Sequence, residues 1–175
     1  DLYNRKLTTP EKAVTRIPDK GKIIHGMASG EPPALLEAVA KRLKAGDLKD
    51  VELYTLLPSK HAAATYLAPE LADCLTAYSW FVSPANRGYV RVGLDYYIPN
   101  LFHQLPRLIR EFMEVDVTIT TVSPMDKNGY FTFGTINDYI SAAARHGKTL
   151  MVEVNENMPR VFGDSLLHVS EVDAI

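Results

Sequence analysis

Short apolar runs recur along this chain with a helical stretch between most neighbouring pairs, and that alternation constrains the fold more than any other feature. "GKIIHGM" (residues 21–27), "DVELYTLL" (50–57), "AYSWFVS" (77–83), "VDVTITTV" (115–122) and "KTLMVEVN" (148–155) read as strands. They are rich in β-branched and aromatic residues and too apolar to be half-solvated, as strands covered on both faces are. Between them, "EPPALLEAVAKRLKAG" (31–46) places Leu35, Leu36, Val39 and Leu43 on one helical face and Lys41, Arg42 and Lys44 on the other. Pro32 and Pro33 suit a first turn, Ser29 or Gly30 is expected to cap it, and Gly46 ends it. "TINDYISAAARHG" (135–147) is a second helix closed by Gly147. "SKHAAATYLAPELADCL" (59–75) is partly helical with a break at Pro69, and "NLFHQLPRLIREFME" (100–114) is one or two helices restarted at Pro106. "NRGYVRVGLDYYIP" (86–99) reads as a short hairpin or an irregular excursion. The fold expected is an α/β domain with an open, mostly parallel sheet and helices on both faces.

The 175 residues, 46% hydrophobic and 23% charged, are enough to bury a sizeable core as one domain. A formal net charge of -2 carries no basic excess of the kind that nucleic acid or an anionic membrane surface would require. Cys74 is the only cysteine, so no internal disulfide can form, and with no long apolar run a cytoplasmic setting is the default expectation. The five histidines show no metal-ligand spacing, and no Gly-x-Ser-x-Gly elbow is present. Cys74 reads as a small buried residue rather than a nucleophile, and Glu111 and Glu114 as a solvated helix face.

Ligands of open α/β sheets bind beyond the carboxyl ends of the strands. Four loops lie there: "HGMASGEPP", "LPSKH", "VSPANRG" and "SPMDKNGYFTFG". The first has glycines and a helix N-terminus behind it, yet matches neither a GxGxxG nor a Walker pattern; it is either a plain turn or a ligand-facing loop. Ser59 is either a ligand donor or a helix cap, and Arg87 either an anion fork or a solvated arginine. By placement alone, the residues expected to line a substrate are Met27, Ser29, Ser59, Ser83, Asn86, Arg87 and Ser123.

The last of these loops is long for a strand-to-helix connection. Its Ser-Pro-x-Asp-x-x-Gly-Tyr-x-x-x-Gly pattern (Ser123 to Gly134) is followed by Met-Pro-Arg (Met158 to Arg160) and Gly-Asp-Ser (Gly163 to Ser165). With "GLDYYIPNLFHQLPRLI" and "HGMASGEPPALLEAVAKR" upstream, nearly the whole chain resembles the N-terminal half of the acetyl-CoA hydrolase/transferase family, which includes 4-hydroxybutyrate CoA-transferases. The resemblance implies a CoA-transferase acting on an acyl-CoA and a short-chain carboxylic acid through a glutamyl-CoA intermediate. Coenzyme A is then a substrate, and no cofactor is permanently bound. It also implies that the nucleophilic glutamate lies in a C-terminal half outside this sequence, so that no glutamate here, Glu153 included, is assigned the role. That half and further copies of the enzyme, as a homo-oligomer, are the expected protein partners. The long loop is then mainly a wall beside the cleft, with an Asp126–Gly129 turn and with Phe131 and Phe133 packing inward. An acyl-CoA hydrolase or a non-catalytic assembly domain are the alternatives.

Overall fold

A computed structural model describes residues 2–175. The elements follow in the order α1 (Leu2–Lys6), α2 (Pro10–Ala13), β1 (Lys22–His25), α3 (Pro33–Ala45), β2 (Val51–Thr55), α4 (Lys60–Tyr66) and β3 (Leu75–Ser79). After these come α5 (Arg87–Arg91), β4 (Tyr96–Tyr97), α6 (Leu105–Phe112), β5 (Val117–Val122), β6 (Tyr130–Thr132), α7 (Tyr139–His146), β7 (Thr149–Val154) and β8 (Leu166–His168). Six strands form one parallel sheet in the order β4-β3-β2-β1-β5-β7. The strand order reverses between β1 and β5, which makes the top of that pair a switch point.

Side-chain parity along the strands divides the core in two. Ile23, Leu53, Val117 and Ile119 face α2, α3 and α4, where Leu36, Val39 and Leu43 meet them. Ile24, Trp80, Val122 and Val152 face α6 and α7, through Ile109 and Ile140. Each of these fully buried aliphatic side chains contributes about 1.5–3 kcal/mol of transfer free energy. α3 ends as its sequence implies, on Gly46 with φ 77°. Its start differs from expectation. Neither Ser29 nor Gly30 caps it; both lie in a 3-10 turn, the N-cap is Pro32, and no side chain of that residue can serve the first N–H groups.

Residues 86–99 form neither a hairpin nor an irregular excursion. α5 carries the chain over so that β4 joins β3 in parallel as a two-residue edge strand. The long loop after β5 folds back on itself through a turn and a short strand. Gly129, with φ 88°, closes the Asp126 turn, and Arg160 pairs with Asp126 at 2.7 Å. β6 pairs antiparallel with β8, and Phe131 and Phe133 are both buried in the α6–α7 layer. Near the end of the sequence Leu166–His168 supply β8. Ala174 then makes a parallel bridge to Met151 on the outer edge of β7. Truncating Phe131 to alanine should cost about 3–5 kcal/mol in chemical denaturation, because the side chain is fully buried and its loss leaves a cavity in the α6–α7 layer.

Asp138 caps α7 by accepting from the Ile140 N–H at 2.9 Å. Its other oxygen is buried with no hydrogen-bond partner, and burial raises its pKa from 3.8 to about 6 against the pull of the α7 N–H groups. The folded state therefore holds this proton more tightly than the unfolded chain, and stability falls as pH rises from about 4 to about 6. Asp138→Asn keeps the capping oxygen and removes the charge. It should flatten that part of the stability–pH profile and raise the denaturation midpoint at pH above about 6, when the two proteins are compared side by side.

Candidate functional site

At the top of the sheet, beside the switch point, a cleft of about 540 Å³ opens between the β1–α3 loop, the end of β5 and the residues after β7. Ser29, Glu31, His61, Thr121 and Glu153, with Asn155, Glu156 and Asn157 after β7, supply its polar lining. A smaller and mostly apolar hollow of about 200 Å³ lies between α1, α2 and the outer edge of β7.

Threonines hold the cleft floor. The Thr120 hydroxyl donates to the Gly30 carbonyl at 3.2 Å, and the Thr121 hydroxyl to the Glu31 carbonyl at 2.6 Å. The β1–α3 loop is thereby stitched down onto β5. Gly26 is needed in this loop, since a Cβ there would come within 2.3 Å of the Gly30 carbonyl oxygen. Beneath the loop His25 is fully buried and neutral, its pKa lowered to about 4 by burial. Its Nδ1–H donates to the Gly26 carbonyl at 2.7 Å and its Nε2 accepts from the Tyr66 hydroxyl at 3.1 Å. The Tyr139 hydroxyl donates to the His25 carbonyl at 2.8 Å and accepts from the Leu56 N–H at 3.2 Å, tying the tops of β1 and β2 to α7.

Two half-buried or buried carboxylates stand in the cleft. Glu153 accepts from the Ala34 and Leu35 N–H groups at 3.0 and 3.3 Å, so it caps α3 from across the sheet. The anion-favouring helix end expected behind the first glycine loop is therefore already occupied by a carboxylate of the protein itself. Burial raises the Glu153 pKa, opposed by those same N–H groups. Glu31 accepts from the Ser59 N–H at 2.6 Å, and burial raises its pKa too, opposed by Ser59 and His61. His61 pairs with Glu37 at 3.4 Å on the rim. Among the described residues, no cluster of three or more histidine, cysteine or acidic side chains is placed to hold a metal ion.

Of the residues expected to line a substrate, the structure brings only Ser29 into the cleft wall, where its hydroxyl meets that of Thr135 at 3.2 Å. Ser59 stands just behind, bonded to Glu31 and capping α4 through the Ala62 N–H. Met27 is half-buried and packs toward the α6–α7 layer. Ser83 and Asn86 are buried in a separate network: Asn86 accepts from the Ser83 N–H at 2.7 Å and donates to Asp95 at 2.8 Å. Arg87 opens α5 on the surface. Ser123 is fully buried and accepts from the Thr132 N–H at 2.9 Å, fixing β6 rather than facing the cleft. Sequence reasoning missed Glu31, Thr121 and Asn155, and gave Glu153 no role; a strand-end position was a signal for Glu153 and Asn155, but not for Glu31, which precedes the α3 prolines, or for Thr121 within β5.

The pattern of the acetyl-CoA hydrolase/transferase N-terminal domain matches residues 1–175. The chain belongs to that family. It is 36% identical over 180 residues to the 4-hydroxybutyrate coenzyme A transferase of Clostridium kluyveri, covering 100% of this chain and 40% of that protein. It is 32% identical to the succinyl-CoA:cyclohexane-1-carboxylate CoA transferase of Geobacter metallireducens, covering 99% and 38%. Among solved structures, RipA from Yersinia pestis superposes with a TM-score of 0.94 at 44% identity, over 99% of this chain and 42% of that one. The 4-hydroxybutyrate CoA-transferase of Porphyromonas gingivalis gives 0.79 at 26% identity, over 99% and 39%. The chain thus spans about two fifths of the length of these curated relatives. No helix among the described residues is long and apolar enough to cross a membrane.

Replacing Glu153 by alanine leaves two N–H groups at the start of α3 without an acceptor. The expected loss is about 1–2 kcal/mol in urea denaturation, with glutamine, which keeps one acceptor oxygen, losing less.

Proposed function

We propose that this chain is the N-terminal part of a CoA-transferase that moves CoA between an acyl-CoA and a short-chain carboxylic acid. The observation that carries the reading is its similarity, along essentially its whole length, to proteins named as CoA transferases. The cleft supports it. Its described lining contains no lysine or arginine, so it is suited to the acyl and thioester end of the substrate rather than to the CoA phosphates.

In the proposed reaction a glutamate carboxylate attacks the thioester carbonyl, expelling CoA thiolate and leaving a mixed anhydride. The thiolate then attacks the glutamyl carbonyl, which releases the donor acid and leaves a glutamyl-CoA thioester. The acceptor acid takes CoA by the reverse of these two steps. Of the three glutamates that line the cleft, Glu153 at α3 and Glu31 at Ser59 are engaged by backbone N–H groups, while Glu156 is exposed. That engagement favours structural roles for both and a nucleophile from elsewhere in the full-length enzyme. What this part of the enzyme supplies is a preset acyl-side wall, with Ser29 as the residue best placed to touch the acyl group.

The test is full-length protein incubated with acetyl-CoA, with and without a second short-chain acid, followed by intact-mass measurement and assay of free CoA. A new acyl-CoA formed only with the added acid, together with a CoA-thioester adduct on the protein, is the expected result. Free CoA released at the same rate with and without the acid would instead make it a hydrolase, and no turnover of any acyl-CoA would overturn the reading.

A further inference from the structure

Glu31 lies in the HGMASGEPP loop but is not among the residues expected to line a substrate, yet it bonds to three parts of the cleft's scaffold. Its backbone N–H donates to the Ala28 carbonyl at 3.2 Å, and its own carbonyl accepts from Thr121 at 2.6 Å. Its carboxylate accepts from the Ser59 N–H at 2.6 Å. One residue therefore joins the loop after β1, the loop after β2 and the floor on β5.

The Ser59 N–H has no intrahelical alternative. Ser59 is the N-cap of α4, so its N–H precedes the helical ladder, and the residue before it, Pro58, has no N–H to offer in its place. The other tie between the two loops is the Ala28 N–H to the Leu57 carbonyl, at 3.2 Å. That tie hangs on Ala28 in a left-handed conformation, φ 47°, which a non-glycine residue holds only when its surroundings over-determine it. Tyr139 holds the start of the β2–α4 loop at Leu56, but without Glu31 the direct tie from that loop to the β1–α3 loop would run through a strained residue. His61, two residues beyond Ser59, lines the cleft and pairs with Glu37, while Glu153 stands on the opposite side. Any shift of the Ser59 N–H moves that wall.

We propose that Glu31 is a positioning residue for the acyl-CoA cleft: by anchoring the Ser59 N–H it fixes the Ser59–His61 wall against the Met27–Ser29 loop. The proposal rests on the reading of this cleft as the acyl-CoA site. It differs from a merely stabilising role in what it moves. A positioning contact changes KM for the ligand that the wall touches, and an isosteric acceptor restores it, whereas a stabilising contact moves the melting temperature and leaves KM alone.

The experiment compares full-length wild type, Glu31→Gln and Glu31→Ala. It reads kcat and KM for acyl-CoA, melting temperature, and amide hydrogen exchange across residues 57–62. Glutamine keeps an acceptor oxygen at the same reach; alanine removes it. Expected for alanine is a KM about tenfold or more higher, a smaller change in kcat, and faster exchange in that segment. Glutamine should stay within about threefold of wild type with its exchange unchanged. Ser59→Pro set against Ser59→Ala deletes the donated N–H from the other side. The Ser59 φ of -71° suits proline, so this pair serves if Glu31→Ala does not fold. The proline variant alone should then raise KM. Turnover in wild type with KM unmoved in Glu31→Ala, or an equal loss in glutamine and alanine variants, would overturn the proposal. Wild type that turns over no acyl-CoA would overturn the reading of the cleft, with the exchange measurement still reporting whether Glu31 holds the loop.

Discussion

The hydroxyl groups of one buried strand hold the layers of this domain together. β5 is buried along its whole length, yet three of its six residues are threonine. Thr118 donates to the Ala143 carbonyl at 3.0 Å and so locks α7 onto the sheet. Thr120 and Thr121 point to opposite faces and donate to consecutive carbonyls, Gly30 and Glu31, of the loop after β1. A valine at these positions would satisfy the strand equally well, since the shape is nearly the same. What the hydroxyls of Thr120 and Thr121 add is a partner for the Gly30 and Glu31 carbonyls, and a buried carbonyl left unpaired costs about 1–3 kcal/mol. The cleft exists because the loop above it is pinned from below.

That arrangement explains which parts of the structure the sequence makes legible. The strands announce themselves as β-branched runs, and α3 by the spacing of Leu35, Leu36, Val39 and Leu43 with Gly46 behind them. These are local signals, read over about a dozen residues. The cap of α3 is not local: its acceptor, Glu153, lies 119 residues from Ala34, and no pattern near Pro32 points to it. α5 and β4 escape for a different reason. A two-residue edge strand with both tyrosines exposed carries no alternation to detect.

The site was half legible on the same terms. Strand ends do locate the cleft, because an open sheet leaves a crevice where its order reverses. They do not tell which polar side chains face it. Ser83, Asn86 and Ser123 sit at strand ends and bond their own loops, as short polar side chains in turns commonly do. Residues that shape the cleft, Glu31 and Thr121, are instead a glutamate before a proline pair and a threonine inside a strand, positions at which a structural reading is the natural one.

The charge of the cleft follows from that construction. Glu31 and Glu153 are there because unserved N–H groups needed acceptors, and a carboxylate bonds an N–H more strongly than a neutral oxygen does. Both have their pKa raised by burial, so neither is a costless neighbour for a second anion. With no lysine or arginine in the described lining, a fully ionised ligand group would meet fixed negative charge without compensation from this chain. A thioester and a short alkyl or hydroxyalkyl chain carry no such penalty. The cations that a CoA diphosphate or an acceptor carboxylate needs must then come from surfaces facing the cleft. In the enzyme we propose, this part would shape and fix the acyl wall, and charge and nucleophile would come from the other.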